Sequence, residues 1–305
     1  FDYTQEAYSK TLWVVEGFTD YFAWYGLRMA GAIDVPTYLR WVGRYIDQLH
    51  DVPGRKVMTL EEASWNVWNQ DGFAARTSFE ETNTTNRYIS YYVKGAVMAA
   101  LLDVEIRAAT AGKHGLDEVL RGLWKEADEP EGYPPGRVED EVERVAGRGV
   151  RRLLERWTQT TATLPYRSTY AKAGMRYQEV LPSIQQDQAR GRRRVLGMLG
   201  VELKEDGPLL KVLNVEPDLP GAAAGLLKDD ELLALDGRRL DRGSWRRLFR
   251  AAKAGESVKL TIYRHDTLRT LDIVPGKDVR KMAKLEPAKD ASSAARRVRE
   301  RWLGE

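Results

Sequence analysis

The sequence predicts a multidomain chain: a mainly α-helical first part, then a small β-rich domain shaped as a partly open barrel with one or two helices. Three observations carry this. Residues 1–160 place apolar residues at helical spacing with few interruptions. From Val195 to Pro275 the spacing switches to a period of two, as half-buried strands require. Between them, Gln185 to Arg194 is a polar stretch containing Gln-Gln-Asp-Gln and Arg-Gly-Arg-Arg-Arg, the composition of a linker. These changes divide the chain into a helical domain (1–162), a connecting segment (163–194), a β-rich domain (195–276) and a basic, helical tail (277–305).

The elements follow in order. Glu6 to Ala30 is helical material without proline, and a second helix runs from Thr37, after Pro36, to Leu49. Thr59-Leu60-Glu61-Glu62 has the form of a capping box and opens a third. Residues 70–84 are polar and read as a loop. A long apolar helix spans Asn86 to Thr110 and is closed by Ala111-Gly112, and shorter helices occupy 115–127, 137–146 and 149–159. The segment 163–181 holds a short helix and a strand, Met175 to Val180. Further strands are expected from Val201, at Leu209–Val215, Glu231–Leu235, Ser257–Tyr263 and Thr270–Val274, with one helix at Ser244–Ala254. The tail, rich in Lys, Arg and Ala, is expected to end in a surface helix.

Composition removes several kinds of function. The 48 Lys and Arg against 45 Asp and Glu leave a net charge of +3, so charge does not point to nucleic acid or a membrane surface, and Arg192-Arg193-Arg194 reads as a solvated linker. Cysteine is absent, which excludes disulfides, thiolate metal sites and cysteine nucleophiles. The histidines are His50, His114 and His265, and none is four residues from another, so no His-x3-His zinc helix can form. No run of 18 apolar residues exists to span a bilayer as a helix. The opening Phe1-Asp2-Tyr3 has neither an initiator Met nor a signal-peptide pattern, and reads as a chain that begins inside a domain.

One carboxylate stands out. Between Lys10 and Asp20 the only charged residue is Glu16, set among Leu12, Trp13, Val14, Val15 and Phe18. A helix apolar on nearly every side is buried, and a carboxylate within it must be paired, protonated or metal-bound. Asp20, one turn later, falls on the same face and reads as an exposed acid or, on the family resemblance that the next motifs carry, as a supporting partner for a ligating histidine.

Two motifs connect this helix to a known family. Leu12-Trp13-Val14-Val15-Glu16-Gly17-Phe18 resembles the Leu-Trp-x-x-Glu-Gly-Phe of gluzincin aminopeptidases, in which the glutamate is the third zinc ligand. Downstream, Tyr92-Val93-Lys94-Gly95 resembles the Tyr-x-Lys-Gly of the same clan, whose tyrosine hydroxyl stabilises the oxyanion of the tetrahedral intermediate. Tyr92 holds the matching position, with Tyr91 as the alternative because the two are adjacent. Residues 195–276 resemble a PDZ domain of the bacterial protease type, through Met198-Leu199-Gly200-Val201, Gly221-Ala222-Ala223-Ala224-Gly225-Leu226 and Lys228-Asp229-Asp230-Glu231-Leu232-Leu233-Ala234-Leu235-Asp236-Gly237. Asp229 replaces the usual glycine of the last run. Such a module caps a peptide carboxylate with backbone N–H groups and accepts the peptide as an added strand. The resemblance makes Met198, Leu199, Gly200 and Val201 the loop, and adds Leu203, Trp245 and Leu248 to the pocket. The alternative is that this domain packs on its neighbour and binds nothing.

Helical part, linker and C-terminal PDZ, in that order, resemble the M61 glycyl aminopeptidase family. The resemblance implies a zinc enzyme that removes N-terminal glycine and alanine from peptides, with two histidines of His-Glu-x-x-His and a downstream glutamate holding the metal. This sequence has no His-Glu-x-x-His, so the chain by itself is expected to hold no zinc and to be inactive. The implied partners are a peptide substrate, a C-terminal peptide at the PDZ, an N-terminal half of the same protein, and a second copy through an exposed apolar face. Neither nucleic acid nor a membrane span is expected. A non-catalytic PDZ-containing peptide-binding protein is the alternative function.

Overall fold

The computed structural model describes residues 4, 6–69, 84–125, 133–180, 194–196, 198–206, 209–241, 243–277 and 281–305. Phe1-Asp2-Tyr3, most of the 70–84 loop and the linker up to Arg193 lie outside them. The chain forms two compact units: residues 1–70, 88–180 and 282–305 make one, residues 71–87 and 181–281 the other.

The first unit is helical. A π-helical turn, Trp13–Phe18, runs directly into α1 (Thr19–Met29). There follow α2 (Val35–His50), α3 (Leu60–Trp65), α4 (Tyr91–Ala109), α5 (Leu116–Trp124), α6 (Arg137–Ala146), α7 (Arg148–Gln159) and α8 (Tyr166–Lys172). The central element is α4, which buries every residue from Lys94 to Arg107. A helix apolar all round can only be a core helix, and its polar residues need partners. Asp103 accepts from Tyr21 Oη (2.7 Å), Leu116 N (2.7 Å) and Arg107 Nε (3.1 Å). Glu105 accepts from Thr169 Oγ1 and Lys172 Nζ, both at 2.6 Å.

Three features differ from the sequence reading. The first helix begins at Trp13 rather than Glu6, because the Ser9 hydroxyl takes the Thr11 N–H (3.1 Å) and offers the backbone an alternative to helix. The long helix begins at Tyr91 rather than Asn86, because Ser90 caps it by accepting from Val93 N (3.2 Å). The tail ends in the expected helix, exposed along most of its length, but one face of it packs inward. Strand β9 (Met282–Pro287) pairs antiparallel with β1 (Met175–Val180), and α11 (Ser293–Leu303) buries Val298, Trp302 and Leu303 in the helical core. The Thr59 capping box is present as expected, with Thr59 Oγ1 accepting from Glu62 N and Glu62 from Thr59 N.

The second unit is a β-sheet domain. Its strands are β2 (Arg194–Leu196), β3 (Val201–Asp206), β4 (Leu209–Val215), β5 (Glu231–Leu235), β6 (Arg238–Arg239), β7 (Val258–Arg264) and β8 (Thr267–Ile273), with short helices α9 (Pro220–Ala223) and α10 (Trp245–Ala251). The sheet is antiparallel in the order β2-β3-β4-β5-β7-β8, and β6 pairs with β5. Alternation along β4 and β7 puts Leu210, Val212, Leu260 and Ile262 into one core with Leu203, Trp245 and Phe249. Asp229 stands in the left-handed region (φ 70°), so the turn keeps the conformation a glycine would take and an aspartate tolerates. Next to it, buried Asp230 holds Arg264 through two bonds (2.8 and 2.7 Å) and caps Leu227 N (2.8 Å).

Candidate active site and peptide-binding loop

The two helical motifs meet at their glycines. A Cβ on Gly17 would stand 2.5 Å from Gly95 Cα, and one on Gly95 would stand 2.9 Å from Trp13 O. No other residue allows backbones this close, so the pair seats the π-helical turn directly on α4. Trp13 N donates to Ser64 Oγ of α3 (3.2 Å), which fixes the start of the turn. A π-helical turn is a rare element, and this one contains Glu16.

Glu16 is half-buried, and so is Asp20 one turn on. The Tyr45 hydroxyl donates to Asp20 Oδ2 (3.1 Å). Burial pushes the Asp20 carboxyl above its ordinary range; the Tyr45 bond opposes this and the charge of Glu16 adds to it. Tyr91 is nearly buried, and burial together with Glu16 raises its phenol. Tyr92 is 36% exposed, with its ring 5.0 Å from that of Tyr91. Glu16, Asp20 and Tyr91 thus share one electrostatic neighbourhood, and Tyr92 packs on Tyr91. Beside Glu16 in sequence, Val15 and Trp124 border an apolar groove of about 530 Å3 that also takes in Phe18, Phe22 and Leu123.

The histidines do not join this group. His50 ends α2 and stacks edge-on against Tyr166 (5.3 Å), its imidazole pushed down by burial and by Arg55 against the pull of Glu179. His114 is exposed in the α4–α5 turn, and His265 lies in the β7–β8 turn of the other unit. Among the described residues, no group of three or more His, Cys, Asp or Glu is placed to hold a metal ion. The described residues therefore do not complete a zinc site, and Glu16 stands apart from all three histidines.

In the β-sheet unit, the loop before β3 is held by its carbonyls. Met198 O accepts from Gly276 N (2.9 Å), Leu199 O from Gly221 N (2.7 Å) and Gly200 O from Glu216 N (2.8 Å). The N–H groups of the same three residues meet no acceptor among the described residues. Gly200 is left-handed (φ 68°), and a Cβ there would stand 2.4 Å from Leu219 Cβ, so the turn requires glycine twice over. Leu199, Val201, Leu203, Trp245 and Leu248 are brought together, but as buried core side chains; Met198 alone of the apolar set is partly exposed.

The sequence singles out Glu16, Asp20 and the tyrosine pair, which the structure places in one helical unit, but it does not show the roles of Gly17, Gly95 and Tyr45 in that arrangement. The glycines were visible within the motifs, one residue after Glu16 and three after Tyr92, yet only the fold reveals that they touch. Nothing in the sequence singles out Tyr45 from the other aromatic residues of α2.

The M61 glycyl aminopeptidase family model matches residues 1–98, and the PDZ domain model matches residues 197–274. A crystal structure of an aminopeptidase N family protein from Idiomarina loihiensis aligns with a TM-score of 0.83 and 24% identity, over 99% of this chain and 50% of that one. At that identity the likeness establishes the fold, and the chain spans half the length of this relative. An HtrA-type protease solved with a decapeptide (TM-score 0.24, 22% identity, 36% of this chain and 34% of that one) is too distant to carry an argument. So is a photosystem II D1 C-terminal processing protease (TM-score 0.24, 18% identity, 59% of this chain and 44% of that one). No curated protein matches in sequence. Both helical motifs fall inside the M61 match and the carbonyl-anchored loop inside the PDZ match: the chain is similar to M61 glycyl aminopeptidases over residues 1–98 and to PDZ domains over residues 197–274.

Proposed function

We propose that the helical unit is the C-terminal, gluzincin-type part of a zinc-dependent aminopeptidase that removes N-terminal Gly and Ala-type residues from peptides. The observation that carries this is the Gly17–Gly95 contact, which puts the Glu-Gly-Phe turn against the Tyr-x-Lys-Gly helix with Glu16 felt at Asp20 and Tyr91. M61 is a family of zinc peptidases, and zinc, when bound, supplies an activated water and a Lewis acid. Glu16 is the third ligand. Asp20, steadied by Tyr45, orients a ligating histidine, and the Tyr92 phenol donates to the oxyanion, with Tyr91 as the alternative donor. The other two ligands and the general base belong to a His-Glu-x-x-His segment outside this sequence, so the chain alone is inactive.

The test is turnover of glycyl- and alanyl-anilides by a protein that includes such a segment. Tyr92→Phe should lower kcat by roughly a hundredfold or more with KM little changed, as for loss of one oxyanion donor. Glu16→Gln should lose zinc. Full activity in both variants contradicts the assignment.

The loop Met198–Gly200 favours a companion role for the PDZ domain. Its carbonyls are spent on the fold while its N–H groups meet no acceptor among the described residues, an arrangement that suits capture of a peptide C-terminal carboxylate. A chain that bound free C-termini, and gained no activity when a His-Glu-x-x-His segment was supplied, would be the non-catalytic binding protein instead.

A further inference from the structure

The PDZ-containing unit incorporates a piece of chain from between α3 and α4. Thr84–Asn86 forms a single 3-10 turn that belongs to that unit. Asn86 Nδ2 donates to Val215 O (2.8 Å), and Asn214 Nδ2 donates to Thr85 Oγ1 (3.1 Å) and Asn86 Oδ1 (3.2 Å). Asn214 and Thr85 are buried, so the bond between them is shielded from water and costly to leave unmade, and the two bonds of Asn86 are partly shielded. They fall on a particular place. Asn214 and Val215 end β4, pair with Glu202 and Val201 of β3, and precede Glu216, whose N–H holds Gly200 O. The turn is therefore fastened to the strand end that also anchors the carboxylate loop. In the other direction the chain reaches Ser90, the cap of α4, and then Tyr91 and Tyr92.

We propose that Asn214 and Asn86 are positioning residues that couple the loop Met198–Val201 to the first turn of α4, so that a peptide carboxylate bound at the loop suppresses opening of the turn carrying Tyr91 and Tyr92. The inference rests on the peptide-capture reading above for its ligand, but the link itself is the Thr84–Asn86 clamp. A ligand that tightens the loop also tightens the end of β4, and whatever β4 holds shares in the reduced opening. Peptide bound at the PDZ domain would then prepare the candidate oxyanion donor for the amino end of a substrate.

Amide hydrogen exchange of the full chain over residues 84–95 tests this. The probe is a decapeptide ending in three apolar residues with a free carboxylate, and its C-terminal amide is the control. In the unsubstituted chain the free-acid peptide should slow exchange over 84–95 and the amide should not. In Asn86→Ala, which leaves β4 intact, the peptide should bind as before and no longer slow that segment. Exchange over 84–95 that ignores bound peptide, or a response that survives Asn86→Ala, overturns the proposal. If the peptide does not bind, the peptide-capture reading fails and Asn214→Ala decides the coupling alone. Exchange over 84–95 about fivefold faster or more supports it, and unchanged exchange overturns it.

Discussion

Lys94 sits inside α4 with 3% of its surface exposed, one residue from the glycine that seats the π-helical turn. The other charged side chains of that helix interior, Asp103, Glu105 and Arg107, have short partners, whereas among the described residues Lys94 Nζ reaches only Thr160 O at 3.4 Å. Burial pushes its ammonium down to about 8, against a smaller pull from Glu62. The unfolded chain keeps this proton up to the ordinary lysine range, so from about pH 8 the unfolded state binds more protons and stability rises with pH. The rise should amount to about 2 kcal/mol by about pH 10, where ionisation of unfolded tyrosines begins to reverse it. Lys94→Met should flatten the profile in that window, which urea unfolding across pH measures; an unchanged slope contradicts this role for Lys94. Glu16 was legible in the sequence because a lone carboxylate in an apolar helix is conspicuous. Lys94 was legible only as a motif letter, since its environment is set by α7 and α3 rather than by its neighbours in sequence.

At the scale of elements, the chain reads well where local chemistry decides and poorly where distant segments do. The strands Met175–Val180, Leu209–Val215 and Glu231–Leu235 stand where their alternation places them, and the Thr59 box opens α3. The tail is the counterexample. Its composition of Lys, Arg and Ala suits a solvated helix, yet Val298, Trp302 and Leu303 form one buried stripe on α11, and β9 finds its partner in β1 more than a hundred residues earlier. Trp302 packs edge-on against Tyr38 (5.9 Å) and is tilted on Tyr170 (5.7 Å). Trp302→Ala should therefore destabilise the helical unit by about 3–5 kcal/mol, read as a lowered denaturation midpoint, whereas a surface helix would tolerate the change within about 0.5 kcal/mol. The π-helical turn was illegible for the same reason: the Gly17–Gly95 contact that holds it joins segments far apart in sequence.

At the scale of the whole molecule, the chain passes from the helical unit into the PDZ-containing unit and returns twice, at Thr84–Asn86 and through the linker before β2 to β9. The domain order was readable from composition, but the returns were not, because nothing local to residues 84–87 or 282–305 marks the unit they join. On the function proposed above, Glu16 and the tyrosine pair of the helical unit are one part of a zinc aminopeptidase site that this sequence does not complete. The most direct measurement is zinc per chain by elemental analysis of chelator-free protein, with glycyl- and alanyl-anilide turnover on the same sample. A single carboxylate holds zinc weakly, so the expected result is less than about a tenth of a zinc per chain and no turnover. One zinc per chain with turnover would contradict the claim, because it would mean that this sequence completes a metal site without a His-Glu-x-x-His segment.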